Sequence, residues 1–166
     1  MKAMLILSMA LVLTVGCSSS DSSKKSVGLG GGGNEEKTVD TTDYSLCQKG
    51  APATSPQGSW VQQRATGEFQ TSLHLQVFQG SLRMTSVCEM RGHRLQASVA
   101  SPVTDDGRHL DVLKADKDNQ EFKDGEFQMT CNLDLQPMRV NYAFKGACLE
   151  LTKEGETEKI VMVPSR

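Results

Sequence analysis

Between residues 68 and 77 the chain alternates without a break. Phe69, Thr71, Leu73, Leu75 and Val77 take the odd positions, and Glu68, Gln70, Ser72, His74 and Gln76 take the even ones. Successive side chains of an extended strand point to opposite faces, so this run has one face suited to a core and one suited to water. A helix would scatter the same residues around its axis. The pattern returns over residues 126–135, where Phe127, Met129, Cys131, Leu133 and Leu135 alternate with Glu126, Gln128, Thr130, Asn132 and Asp134. Past Gln136-Pro137 the parity flips, and Met138, Val140, Tyr142 and Phe144 share a face. A flip across a short polar turn predicts a hairpin.

Weaker versions fill the intervals. Leu82, Met84, Ser86, Cys88 and Met90 form one face, Leu95, Ala97, Val99 and Ser101 the next, followed by Leu110 with Val112, Leu149 with Leu151, and residues 160–163. Turn chemistry separates them at Gln79-Gly80, Arg91-Gly92, Asp105-Asp106-Gly107, Asp124-Gly125 and Glu154-Gly155. Short strands at this spacing predict an all-β fold: an antiparallel up-and-down barrel of about eight strands, with a β-sandwich as the alternative. Closure is favoured because it removes exposed sheet edges.

The alternation is confined to the later part of the chain. Residues 18–46, "SSSDSSKKSVGLGGGGNEEKTVDTTDYSL", hold few apolar side chains and are expected to form a flexible tether with a reach of about 30 Å. "GLGGGG" lacks the Lys-Ser or Lys-Thr pair that would make it a phosphate loop. Ahead of it, Lys2 precedes an apolar run over residues 3–15 that is interrupted only by Ser8 and Thr14. That run has the length of a secretory signal, whereas a membrane-spanning helix needs roughly 20 apolar residues.

The signal ends in "LTVGC", with Gly16 before Cys17. This resembles the lipobox of bacterial lipoproteins, with Thr14 where that family more often has Leu. The resemblance implies that the sulfur of Cys17 carries a diacylglyceryl group, that residues 1–16 are removed, and that the new amine is acylated. A thiolate is the side-chain nucleophile suited to that first step near neutral pH. Two or more acyl chains anchor a protein stably. Ser18, rather than an acidic residue, follows the cysteine, which in that family implies sorting to the outer membrane. The expected organisation is therefore a signal peptide over 1–16, a lipidated tether over 17–46, and a β domain over 47–166.

The first strand of that domain begins "GSWV" at Gly58, and the chain closes "LELTKEGETEKIVMVPSR". These stretches resemble the Gly-x-Trp opening and the final hairpin of lipocalin-like domains. The resemblance implies that Trp60 plugs the closed end of an eight-stranded barrel and that Arg166 packs over it. It also implies a small apolar or amphipathic ligand at the open end.

Besides Cys17 there are cysteines at 47, 88, 131 and 148, and export favours disulfides. Cys88 and Cys131 share the inward parity of their strands and are expected to pair across the core. Cys148, out of phase with Leu149, is expected to pair with Cys47 against the outer wall. None of these has the close spacing of a zinc site. The acidic run "DKDNQEFKDGEF" starts like a calcium loop with Asp116 and Asp118, but has Glu121 at the turn position and Phe127 in place of the final carboxylate. His74, His93 and His109 fall on a polar face or near turns, away from any nucleophile with a base. Neither a cofactor nor a metal is expected, and the chain does not read as an enzyme.

The formal net charge is −2, and −3 once the leader with Lys2 is removed, without a basic stripe, so nucleic acid is not an expected partner. Two classes remain for a monomeric domain held to the membrane through its lipid. One is a binding module in which the inward Thr71, Ser86, Ala97 and Ser101 leave room for a ligand. The other is a filled barrel that meets, or inhibits, another envelope protein through its surface.

Overall fold

The computed structural model describes residues 37–165. Cys17, Arg166 and the signal and tether segments up to residue 36 lie outside the described residues. Eleven strands and one short helix follow one another: β1 (Val39–Asp40), α1 (Leu46–Lys49), β2 (Gly58–Thr66), β3 (Phe69–Phe78), β4 (Ser81–Met90), β5 (His93–Asp105), β6 (His109–Val112), β7 (Asp116–Asp124), β8 (Phe127–Leu135), β9 (Met138–Lys145), β10 (Cys148–Lys153) and β11 (Ile160–Pro164). All pairings are antiparallel. The wall runs β2-β3-β4-β5-β6-β9-β10-β11 and closes back on β2, giving an eight-stranded barrel. This architecture is compatible with a lipocalin-like domain.

Direct cross-strand partners carry the inward face around the wall. Trp60 opposes Leu75, Leu75 opposes Met84, and Met84 opposes Val99. Leu110 opposes Val140, and Leu149 lies between Phe144 and Met162. Period-two alternation therefore becomes a single apolar interior, with Val77, Val99, Leu110, Leu149 and Met162 at most 1% exposed.

Two parts depart from the sequence reading. The run after Gln136-Pro137 is not a hairpin. Both edges of β9 are taken, by β6 and β10, and β8 pairs instead with β7 as a separate two-stranded sheet. The parity flip belongs to a corner where the chain leaves one sheet for another. The acidic run that begins at Asp116 forms a strand over residues 116–124. Its Asp116 and Asp118 carboxylates accept the backbone N–H groups of Ala100 and Ser98, each at 2.8 Å. Those amides lie on β5 before its pairing with β6 begins at Val103. Carboxylates thus complete an edge that no neighbouring strand covers. The Ser98 amide is the main reason the Asp118 carboxyl is held below its ordinary range, with the Gln120 side chain adding to it.

Order also begins before residue 47. β1 pairs with Ala65 and Arg64, and Thr42 grips Gln63 by donating to its carbonyl at 3.2 Å and accepting its amide at 2.9 Å. The chain then crosses the outer wall as α1, where Cys47 is bonded to Cys148. A side chain at Gly146 would come within 2.1 Å of the Cys47 carbonyl, and that same carbonyl accepts the Ala147 amide at 2.8 Å. Glycine is required there both for this contact and for φ of +60°.

Tyr142 ties β9 to the end of β5. Its hydroxyl donates to Asp105 at 2.8 Å. Burial, then the Asp105 carboxylate and the negative charge of Asp105 and Asp106, push its pKa up to about 12 from 10. A raised phenol pKa leaves stability independent of pH below about 10, and stability then falls as pH rises from about 10 through about 12. Tyr142→Phe is expected to flatten urea midpoints across that window. A midpoint that declines as steeply as in the wild type would show that another group governs the alkaline transition.

Candidate functional site

Trp60 stands near one end of β2, 5% exposed, with its indole N–H donating to the Pro56 carbonyl at 2.9 Å. Gly58 lies against the indole: a Cβ there would sit 3.8–3.9 Å from the ring, and its φ of +139° suits glycine alone.

Inside the barrel lies a cavity of about 220 Å³, whose lining includes Leu75, the residue opposite Trp60. Its walls are apolar, built from side chains such as Leu73, Leu75, Met84, Leu110, Val140 and Met162. Charged side chains gather at its opening: Arg64 from β2, Asp134 from the end of β8, Lys153 from the end of β10, and Glu156 and Glu158 from the connection into β11. Lys153 and Glu156 pair at 2.7 Å. Asp134 and Glu158 are exposed to water, whereas Arg64 is half-buried.

The cavity is not where the small inward residues predicted it. Thr71, Ser86, Ala97 and Ser101 do not line it. Ser86, Ala97 and Ser101 are buried, and the apolar face of β8 packs across β4 and β5 there. Cys88 is bonded to Cys131, whose sulfur lies 3.7 Å from the Ser86 hydroxyl. β8 occupies that room. The remaining void lies among the larger Leu and Met side chains, which are flexible enough to leave an irregular gap.

Arg64 escaped the sequence reading, although a signal was present: Trp60, Gln62 and Arg64 share one parity. It forms no side-chain hydrogen bond or salt bridge among the described residues. Its cross-strand partners are Thr71 on β3 and Asp40 on β1, and the Asp40 carboxyl is engaged by the Tyr44 hydroxyl and the Thr42 amide. Burial would raise the Asp40 pKa, but these hydrogen bonds and the positive charge of Arg64 together bring it below its ordinary value.

The histidines lie elsewhere. His74 is on the outer face of β3, and burial followed by the charge of Arg94 lowers its pKa. His93 stacks on Phe122 at 4.3 Å between ring centroids. His109 pairs with Asp106 at 2.8 Å, and that hydrogen bond, ahead of the Arg108 and His109 amides, lowers the Asp106 pKa to about 2.

No protein-family model, curated protein or solved structure matches the chain.

Proposed function

We propose that the protein is a non-catalytic binding module, lipid-anchored through Cys17 at the outer membrane of a bacterial envelope, whose barrel holds a small amphipathic ligand. The observation that carries this reading is the apolar cavity inside the barrel, with charged side chains among those that line it. Pockets of this composition take the apolar body of a ligand inside and fix its polar end at a few placed groups. At about 220 Å³ the cavity is smaller than most drug-sized pockets, and larger than the roughly 150 Å³ apolar cavity that is known to accept benzene. The ligand is accordingly small.

A neutral probe tests this directly. In full-length protein reconstituted into phospholipid nanodiscs, 1-octanol is expected to bind saturably by calorimetry above the level of empty discs. It is also expected to raise the unfolding temperature with concentration, as any ligand selective for the folded state must. Met84→Trp, which places a larger side chain in the void, is expected to abolish both effects. Equal octanol uptake by this variant would overturn the cavity as the site.

A second reading, a surface that meets or inhibits another envelope protein, draws on Phe78 and Leu113, which are 65% and 54% exposed. They lie on either side of Pro102. Phe78 opposes Ser81, Ser81 opposes Pro102, and the Leu113 amide bonds the Pro102 carbonyl. Octanol binding that fails in every form would favour it.

A further inference from the structure

We infer that the ligand is a short, single-tailed carboxylic acid whose head group is held by Arg64; this rests on the cavity being a binding site. Two features of the cavity set the class.

The first is the state of Arg64. A guanidinium that is half-buried at an apolar wall has lost part of its hydration, and five N–H donors are costly to leave without acceptors there. Arg64 makes no side-chain hydrogen bond or salt bridge among the described residues. Its electrostatic neighbour, Asp40, already accepts from Tyr44 and Thr42. A carboxylate presents two oxygens in the plane and at the spacing that a guanidinium fork matches.

The rim as a whole carries more acid than base, which at first sight favours a cationic head. The placement of those acids argues otherwise. Glu156 is paired with Lys153, while Asp134 and Glu158 stand in water, where charges are screened and retain their hydration. Arg64 is the half-buried charge on β2 beside the apolar wall, where the head of a ligand with its tail inside would come to rest.

The second feature is volume. If about 150 Å³ accommodates the six carbons of benzene, 220 Å³ accommodates roughly nine. Leu73, Leu75, Leu110 and Leu151 wall this space, so a longer chain would have to displace packed core. The expected tail is therefore near eight carbons, not sixteen.

The test compares heads on one tail. Full-length protein in nanodiscs, with empty discs as the reference, is titrated with octanoate, octylamine, methyl octanoate and 1-octanol, and separately with palmitate. Octanoate is expected to bind at least 10-fold more tightly than the amine, ester or alcohol, and palmitate no more tightly than octanoate. Arg64→Gln is expected to remove the preference, so that octanoate and octanol bind this variant within about 2-fold of each other. Arg64→Lys, which keeps the charge and loses the fork, should retain part of the preference. Octylamine binding as well as octanoate, or Arg64→Gln leaving octanoate unchanged, would overturn the acid assignment and leave the cavity as the site. Failure of all four eight-carbon probes would overturn the binding function itself.

Discussion

Cys88→Ala combined with Cys131→Ala will lower the stability of the fold by about 4 kcal/mol. The two cysteines are 43 residues apart, and restricting an unfolded loop of that size is worth about 4 kcal/mol in the chain-entropy account. For a domain of this size, that corresponds to a fall in melting temperature on the order of 15 °C. The loss should not spread evenly. β7 and β8 pair only with each other, so no backbone ladder joins them to the barrel. Their attachment includes the disulfide, the apolar face of Met129, Leu133 and Leu135, two aspartates on β5 amides, and the His93 ring of β5 against Phe122 and Phe127. Amide exchange should therefore accelerate most over residues 116–135, and the β2–β5 ladders should keep protection close to the new global limit. Urea unfolding gives the total and exchange mass spectrometry gives the distribution. A loss below about 1 kcal/mol, or uniform acceleration across the barrel, would show that the noncovalent contacts hold the hairpin without the disulfide.

The same hairpin marks where sequence patterning stops being informative. β3 and β8 were legible because each has one buried and one wet face, which writes itself as strict alternation. β7 has no such contrast. In "DKDNQEFKD" its bonds to the barrel come from carboxylates on backbone amides, so its residues look like those of a solvated loop. The parity flip at Gln136-Pro137 was read correctly as a change of facing, but parity says nothing about which strand lies alongside. Only the occupied edges of β9 decide that. β1 was hidden in a polar segment because two residues and a few hydrogen bonds to Gln63 suffice to dock it. The Cys88 and Cys131 positions share an inward parity, and in the fold their sulfurs meet. The cavity depended on which space β8 would take up, a question of tertiary packing that the inward Ser86, Ala97 and Ser101 could not answer alone.

Trp60→Ala is the other large effect, at about 3–5 kcal/mol, the usual range for removing a buried tryptophan. The indole is 5% exposed, backs onto Gly58, and supplies the donor for the Pro56 carbonyl. Trp60→Phe keeps most of the ring but strands that acceptor, and should cost about 1–3 kcal/mol. It serves as the folded comparison if the alanine variant proves too unstable. Because Trp60 is the one tryptophan in the chain, unfolding must be followed by circular dichroism instead of fluorescence. The decisive readout is the pairing of stability with binding. Arg64, which lines the cavity, lies four residues further along β2, about 13 Å at 3.3 Å per residue, and Trp60 is not among the lining residues. Octanol and octanoate affinities measured on folded Trp60→Phe should thus stay within about 2-fold of wild type. A variant that loses stability and affinity together would show that the indole shapes the site. Stability lost with affinity retained would separate the packing role of the Trp60 indole from the binding site.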